Sequence, residues 1–281
     1  MTTETKPKRN DDAGSTLWSK MLAKCIDSVG TDSFYMDLQA ALKVLAGFDY
    51  SVSYAYYKNE TPICLDHAFS TEKRVILVDE YLKGPYLLDP FFKACSRKIE
   101  TGLYRIRDIA PDRFYQSEYY RSYYNLTGLA EEICFTFYLK KGVAIVVSLM
   151  RKDESSKFSA REFRLLDRVA PIVISLARHH WKDVPQQFNI DTANDESHDD
   201  TAMIENRVSD LFAERLTPRE TQVVAQVLEG HSSDSIAKDL GISVGTVRIH
   251  RRNIYAKLQI SSQQELFSIF FKNITSKGGF T

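Results

Sequence analysis

Residues 216–266 read LTPRETQVVAQVLEGHSSDSIAKDLGISVGTVRIHRRNIYAKLQISSQQEL, and their punctuation divides them into four helices. Thr217 precedes Pro218, a residue suited to a first helical position, and Glu220 follows the threonine by three residues, the spacing of a capping box. Val223, Val224, Val227 and Leu228 then form an apolar stripe, and Gly230 ends the helix. Ser232 caps a shorter second helix with Ile236, Ala237 and Leu240 facing inward. Gly241 breaks that helix, and Ser243 caps the third. Two helices joined by a short turn containing glycine have the geometry of a helix-turn-helix.

The third helix divides into two faces. Val247, Ile254 and Leu258 fall on one side and pack on the first two helices, while Arg248 and Arg252, four apart, share the other side with Ile249. Guanidinium groups on an exposed helix suit the major groove, because each can bond O6 and N7 of guanine together, and Ile249 can meet a thymine methyl. Thr246, His250, Arg251 and Lys257 are placed for phosphate contacts or for local structure. Arginines alone would describe a solvated face; arginines inside this ordered series of caps and glycines point to double-stranded DNA.

The same stretch resembles the LuxR/FixJ-type family of bacterial regulators. The resemblance is carried by Leu216-Thr217-Pro218-Arg219-Glu220, Gly230, Ile236-Ala237, Leu240, Ile242-Ser243, Thr246-Val247, His250, Ile254 and Lys257-Leu258. It implies a four-helix domain with its third helix in the major groove, acting as a dimer on paired half-sites. It also implies that Arg248, Ile249 and Arg252 are the base-reading positions. The chain departs from the family at Asp234, where a basic residue is frequent, and at Ser235, where glutamate is frequent.

Upstream, charge marks a boundary. Residues 183–214 hold one Lys/Arg against nine Asp/Glu, whereas 215–281 hold nine against five, within a chain balanced at 37 of each. The acidic stretch 183–212 is expected to be a linker between a sensor domain, 15–182, and the helix-turn-helix domain, 213–281. Residues 1–14 are polar and are expected to be a disordered tail. Helical patterns span 15–29, with Leu17, Met21, Leu22, Cys25 and Ile26, and 33–46. Alternation at Phe48, Tyr50, Val52, Tyr54 and Tyr56 predicts a strand, and a second, near 62–69, follows the turn at Lys58-Asn59-Glu60. Short helices are predicted at 72–83 and 89–97, and a short strand at 104–107. Glu132–Leu139 and Val143–Met150 form a hairpin around Lys140-Lys141-Gly142. A long helix near 159–181 starts on a capping box of Ser159 and Glu162. The fold class is therefore α+β: an antiparallel sheet sandwiched by helices, then an all-α four-helix unit.

Tyr81–Phe92, YLKGPYLLDPFF, sets an Asp-Pro among aromatic residues. This resembles the autoinducer-binding domains of quorum-sensing regulators in the same family, where the aspartate accepts a hydrogen bond from the ligand. The family's pocket tryptophans are replaced here: Ile76 and Glu80 stand at two aromatic positions and Tyr104 at another. The stretch from Tyr104 to Trp181 is similar to that of solo regulators with a GAF/PAS-like sensor. Candidate pocket residues are Tyr54, Tyr81, Tyr86, Asp89, Phe92, Tyr104 and Thr136, and an aspartate among tyrosines suits an amine-like ligand. Asp89 also has a purely structural reading as the cap of a helix starting at Pro90. Tyr115, Tyr119, Tyr120, Tyr123 and Tyr124 are at helical spacing and read as core.

Other classes find little support. Cys25, Cys64, Cys95 and Cys134 are widely spaced without a CxxC pair, which suits free thiols rather than zinc or disulfides. No apolar run approaches the roughly 18 residues of a membrane span, and the first ten residues lack a secretory apolar stretch, so a cytoplasmic location is expected. Asp11-Asp12 precedes any strand, against a phosphoacceptor domain. Strands across 48–150 argue against a sigma factor. His67, His179, His180 and Cys134 form no nucleophile–base arrangement, so no catalytic residue is expected. No cofactor or metal is expected either. The expectation is a ligand-responsive transcription regulator, a homodimer able to contact RNA polymerase; the alternative is an N-terminal domain that binds a protein or only dimerises.

Overall fold

The computed structural model describes residues 10–58, 60–188, 190 and 203–277. The expected linker segment 191–202, the turn residue Asn59 and the first nine residues lie outside these. The first helix, α1 (Asn10–Asp27), begins inside the expected tail, and α2 (Phe34–Leu45) packs beside it. On α1 the helical pattern is only half used: Cys25 is buried, whereas Leu17 and Ile26 face solvent.

Five antiparallel strands follow: β1 (Tyr50–Tyr56), β2 (Ile63–His67), β3 (Gly102–Arg105), β4 (Leu129–Tyr138) and β5 (Ala144–Lys152), in the spatial order β2-β1-β5-β4-β3. The hairpin β4–β5 forms around the predicted turn, β4 starting three residues earlier than expected, with Cys134 opposite Ser148 and Thr136 opposite Val146. Alternation sends Ala55, Ile133, Phe135, Ile145 and Val147 to one face, where they meet Phe34, Leu38 and Leu42 of α2 and Leu166, Val173 and Ala177 of the long α7 (Ala160–His180). The capping box at Ser159 and Glu162 is present. Arg151 pairs with Glu162 at 2.5 Å, and Arg105 with Glu131 at 2.5 Å, so buried cations tie the helix start to the sheet.

The opposite face carries Val52, Tyr54, Tyr56, Cys134 and Val146. It is covered by a run of short helical pieces: α3 (Thr71–Arg74), a π-helical turn (Val75–Glu80), 3-10 turns at Tyr81–Lys83 and Pro85–Leu88, α4 (Pro90–Ser96), α5 (Ile106–Ile109) and α6 (Glu118–Ser122). The helix predicted over 72–83 is thus broken into α, π and 3-10 turns. The sheet is sandwiched as expected.

The C-terminal region has one helix more than expected. α8 (Met203–Leu211) forms within the acidic stretch, burying Met203, Ile204 and Val208 against α9 (Pro218–Glu229). The expected linker therefore ends before residue 203, because an apolar stripe at Met203, Ile204 and Val208 outweighs the surrounding charge. α10 (Ser233–Leu240), α11 (Val244–Leu258) and α12 (Gln263–Lys277) complete the unit. Its core runs without a break into the core of the sensor's tyrosine-rich face.

Candidate functional sites

The caps read from sequence hold α9–α11 in place. Thr217 accepts from the Glu220 backbone while Glu220 Oε2 accepts from Thr217, and Ser232 and Ser243 accept from Ser235 and Thr246. Arg219 donates to the Leu240 carbonyl, tying α9 to the end of α10. Val247, Ile254 and Leu258 are buried. Arg248 and Arg252 project into solvent, and Ile249, 50% exposed, stands with them. An exposed isoleucine flanked by two arginines is a face free to meet a groove.

Lys257, Arg251 and Thr246 are engaged within the protein. Lys257 Nζ lies 2.6 Å from Glu220 Oε2; burial works to raise that carboxyl, but Lys257 and Thr217 hold it below its ordinary value. Arg251 donates to the Tyr255 hydroxyl and to Gln263 Oε1 at 3.0 Å, bracing α11 on α12. The Thr246 hydroxyl lies 2.8 Å from Ser243 Oγ, inside the cap.

The helix-turn-helix unit is docked on the sensor. Lys93 Nζ meets Glu229 Oε1 at 2.7 Å, with Arg97 and His231 on the second oxygen at 3.6 and 3.5 Å. The Ser232 N–H donates to Asp112 Oδ1 at 2.9 Å and the Arg113 N–H to the Gly230 carbonyl at 3.0 Å. Gly230 is doubly required. Its φ of +99° favours glycine, and a methyl there would come within 3.1 Å of Ser117 Cβ and 3.2 Å of Phe114 Cα. Gly84, with φ +146°, lets Ile274 of α12 approach; a methyl there would lie 2.9 Å from Ile274 Cβ. Tyr123 packs on Phe271. The face bearing Arg248 stays open throughout.

Inside the sensor, a small cavity of about 30 Å³ lies between the sheet and the helical pieces. Of the residues expected to gather there, Tyr54, Tyr81 and Asp89 do so. Phe92 instead lines a neighbouring open groove of about 470 Å³. Tyr86 packs edge-on against Tyr81 and Phe92, Tyr104 donates to the Glu100 carbonyl, and the Thr136 hydroxyl is buried without a partner farther along β4. These four share the aromatic neighbourhood in sequence but not the cavity in space. Tyr119, Tyr123 and Tyr124, read as core, turn their rings toward the cavity, and Glu132 and Ser148 complete it. Tyr56 is the wall common to cavity and groove.

Asp89 caps α4, the structural role its sequence suggested. One oxygen caps α4 by accepting from Phe91 N–H at 2.8 Å; the other accepts from the Tyr81 hydroxyl at 2.7 Å. Tyr81 and Tyr56 hydroxyls lie 2.9 Å apart. Burial raises the Asp89 carboxyl. Glu132 is pushed up to about 7, by burial first and then by the neighbouring Asp89. The lid over this space is the π-helical turn, whose Leu77 and Ile76 carbonyls accept from Tyr54 and, at 2.9 Å, from Tyr123. Such π-turns recur at functional sites.

The cysteines are free, three of them buried. Among the described residues no cluster of His, Cys, Asp or Glu could hold a metal ion, and no helix is long and apolar enough to cross a membrane.

Comparison with known proteins agrees with this architecture. Residues 214–270 match the family described as bacterial regulatory proteins, luxR family. A putative HTH-type transcriptional regulator from the exeN 3' region of Aeromonas salmonicida is 32% identical over 186 residues, covering 66% of this chain and 94% of that protein. The monoamine regulon transcriptional regulator of Klebsiella aerogenes is 45% identical over 53 residues, 19% of this chain and 23% of that protein. Among solved structures, the ligand-binding domain of VqsR from Pseudomonas aeruginosa superposes with a TM-score of 0.51 at 24% identity, covering 58% of this chain and 95% of that one. The last likeness is one of fold.

Proposed function

The chain belongs to the luxR family of HTH-type transcriptional regulators, a family of regulators and not of enzymes, and on that premise we propose that it is a ligand-responsive regulator binding promoter DNA as a homodimer. The observation that carries the reading is the face of α11. Arg248, Ile249 and Arg252 face solvent, while α9 and α12 of the same unit pack against the sensor. Arg248 and Arg252 read guanines and Ile249 a thymine methyl. Lys257 and Arg251, already paired inside the protein, act on the fold of the reader more than on phosphate.

The sensor cavity is the ligand site, and its ligand is a small molecule of amine type, as the tyrosines and Asp89 favour. A route from cavity to reader supports ligand response: Asp89 caps α4, and Lys93, one turn along α4, holds Glu229 at the end of α9. Ligand binding shifts the relation between two subunits, and with it the spacing of their α11 helices. The regulator works in the cytoplasm in a quorum-sensing-like role. The small free volume of the cavity favours one second reading, a sensor region that only dimerises or binds a protein.

Selection of binding sites from random duplexes, followed by footprinting with the full chain, tests the reading. Paired half-sites about one helical turn apart, roughly 34–36 Å, are expected. Selection of no common sequence would contradict it.

A further inference from the structure

Among the described residues, the most deeply buried carboxylates have a cation: Asp37 meets Lys24, Glu131 meets Arg105, Glu220 meets Lys257 and Glu229 meets Lys93, all within 2.7 Å. Glu132 is the exception among them. It is 6% exposed, yet its donors are all uncharged: the Ser148 hydroxyl, the Cys134 thiol at 3.6 Å and the Tyr124 hydroxyl at 3.4 Å. The groups around it come from every element that packs on the cavity. β1 supplies Tyr54 and Tyr56, and β5 supplies Ser148. The lid side supplies Tyr81 and Asp89, and α6 with the turn after it supplies Tyr119, Tyr123 and Tyr124. Among the described residues lining the cavity there is no Lys, Arg or His.

We propose that Glu132 is the counter-ion for the cationic head of the ligand, an organic ammonium that enters the cavity and is walled by tyrosine rings. This rests on the cavity being the ligand site. Asp89 is less available, since both its oxygens already serve the α4 cap and Tyr81. The free volume of about 30 Å³ takes one small polar group, and the lid latched by Tyr54 and Tyr123 must give way for anything larger. A cation placed there gains charge pairing with Glu132 and attraction to the aromatic faces. Burial and Asp89 hold the Glu132 carboxyl up to about 7, so it carries a proton part of the time near neutrality. Binding of the ammonium expels that proton.

The test uses the full chain, calorimetry at pH 6 and pH 8, and two probes of similar shape, n-butylammonium chloride and 1-butanol. n-Butylammonium is expected to bind about tenfold more tightly at pH 8 than at pH 6, releasing a proton detectable in buffers of different ionisation enthalpy. 1-Butanol is expected to show no such dependence. Glu132→Gln, which keeps shape and removes charge, is expected to weaken the ammonium at least tenfold and flatten its pH profile. Equal binding of both probes, no proton release by the wild-type protein, unchanged affinity in Glu132→Gln, or no ammonium binding would each overturn the assignment. A neutral acylated lactone is the discriminating control. Binding of that lactone to wild type and Glu132→Gln alike, without ammonium binding, would sink the counter-ion and leave the ligand site standing.

Discussion

The helix-turn-helix unit is set by near neighbours: Thr217 with Glu220, Ser232 with Ser235, Ser243 with Thr246. The sensor cavity gathers Tyr54, Tyr81, Asp89, Tyr124 and Glu132 from separate segments of chain. The two regions also treat charge differently. In the reader, Glu220 and Glu229 are buried against lysines, whereas the cavity holds two carboxylates with no lining cation. A paired buried charge serves architecture; a buried charge left without a partner is kept at the expense of stability, which is the mark of a binding site.

Breaking the pairing in the reader is expected to have the largest effect. Lys93→Ala leaves Glu229 buried with only its two longer contacts, and a loss of about 3 kcal/mol in denaturant-monitored stability is expected. Burial works to raise the Glu229 carboxyl, but His231, Lys93 and Arg97 hold it below its ordinary value. Its contribution is therefore present above roughly pH 4.5 and is lost as pH falls through the lowered value, so the gap between wild type and Lys93→Ala should narrow in acid.

Glu132 should behave in the opposite sense. A carboxyl raised on folding costs stability as pH climbs from its unfolded value near 4.5 to about 7. Glu132→Gln should then be more stable than wild type at pH 8, by on the order of 2 kcal/mol, and nearly equal to it at pH 5. Thermal unfolding across that range measures the difference; a parallel pair of curves would erase the contrast between the two regions. Smaller still is Thr217→Ala, expected to cost about 1 kcal/mol through loss of one capping side chain.

The same contrast explains what could be read from sequence. Caps, stripes and glycines act over three or four residues, so α9–α11 were legible almost to their ends and the β4–β5 hairpin around its turn, whereas α12 was expected without bounds. α8 was hidden because its three buried apolar residues sit in an acidic stretch. In the sensor, Tyr81 and Asp89 were legible through the resemblance carried by the aromatic-flanked Asp-Pro, and Tyr54 was a candidate on the alternating strand before it. Glu132 was not, because only the pairing of β4 with β5 and the fold of 75–128 over that face bring it beside Asp89. Its one sequence signal was charge at an inward position of a strand that otherwise alternates apolar residues. Tyr119 and Tyr123 were read as core from their spacing, and spacing cannot tell a core from a cavity wall.

The most direct test of the account is fluorescence anisotropy of the full chain on its selected duplex and on a scrambled one, at fixed salt. Arg248→Ala and Arg252→Ala are each expected to lose about 1–3 kcal/mol on the selected duplex and little on the scrambled one. Equal weakening on both, the signature of phosphate contacts alone, would contradict a base-reading face on α11.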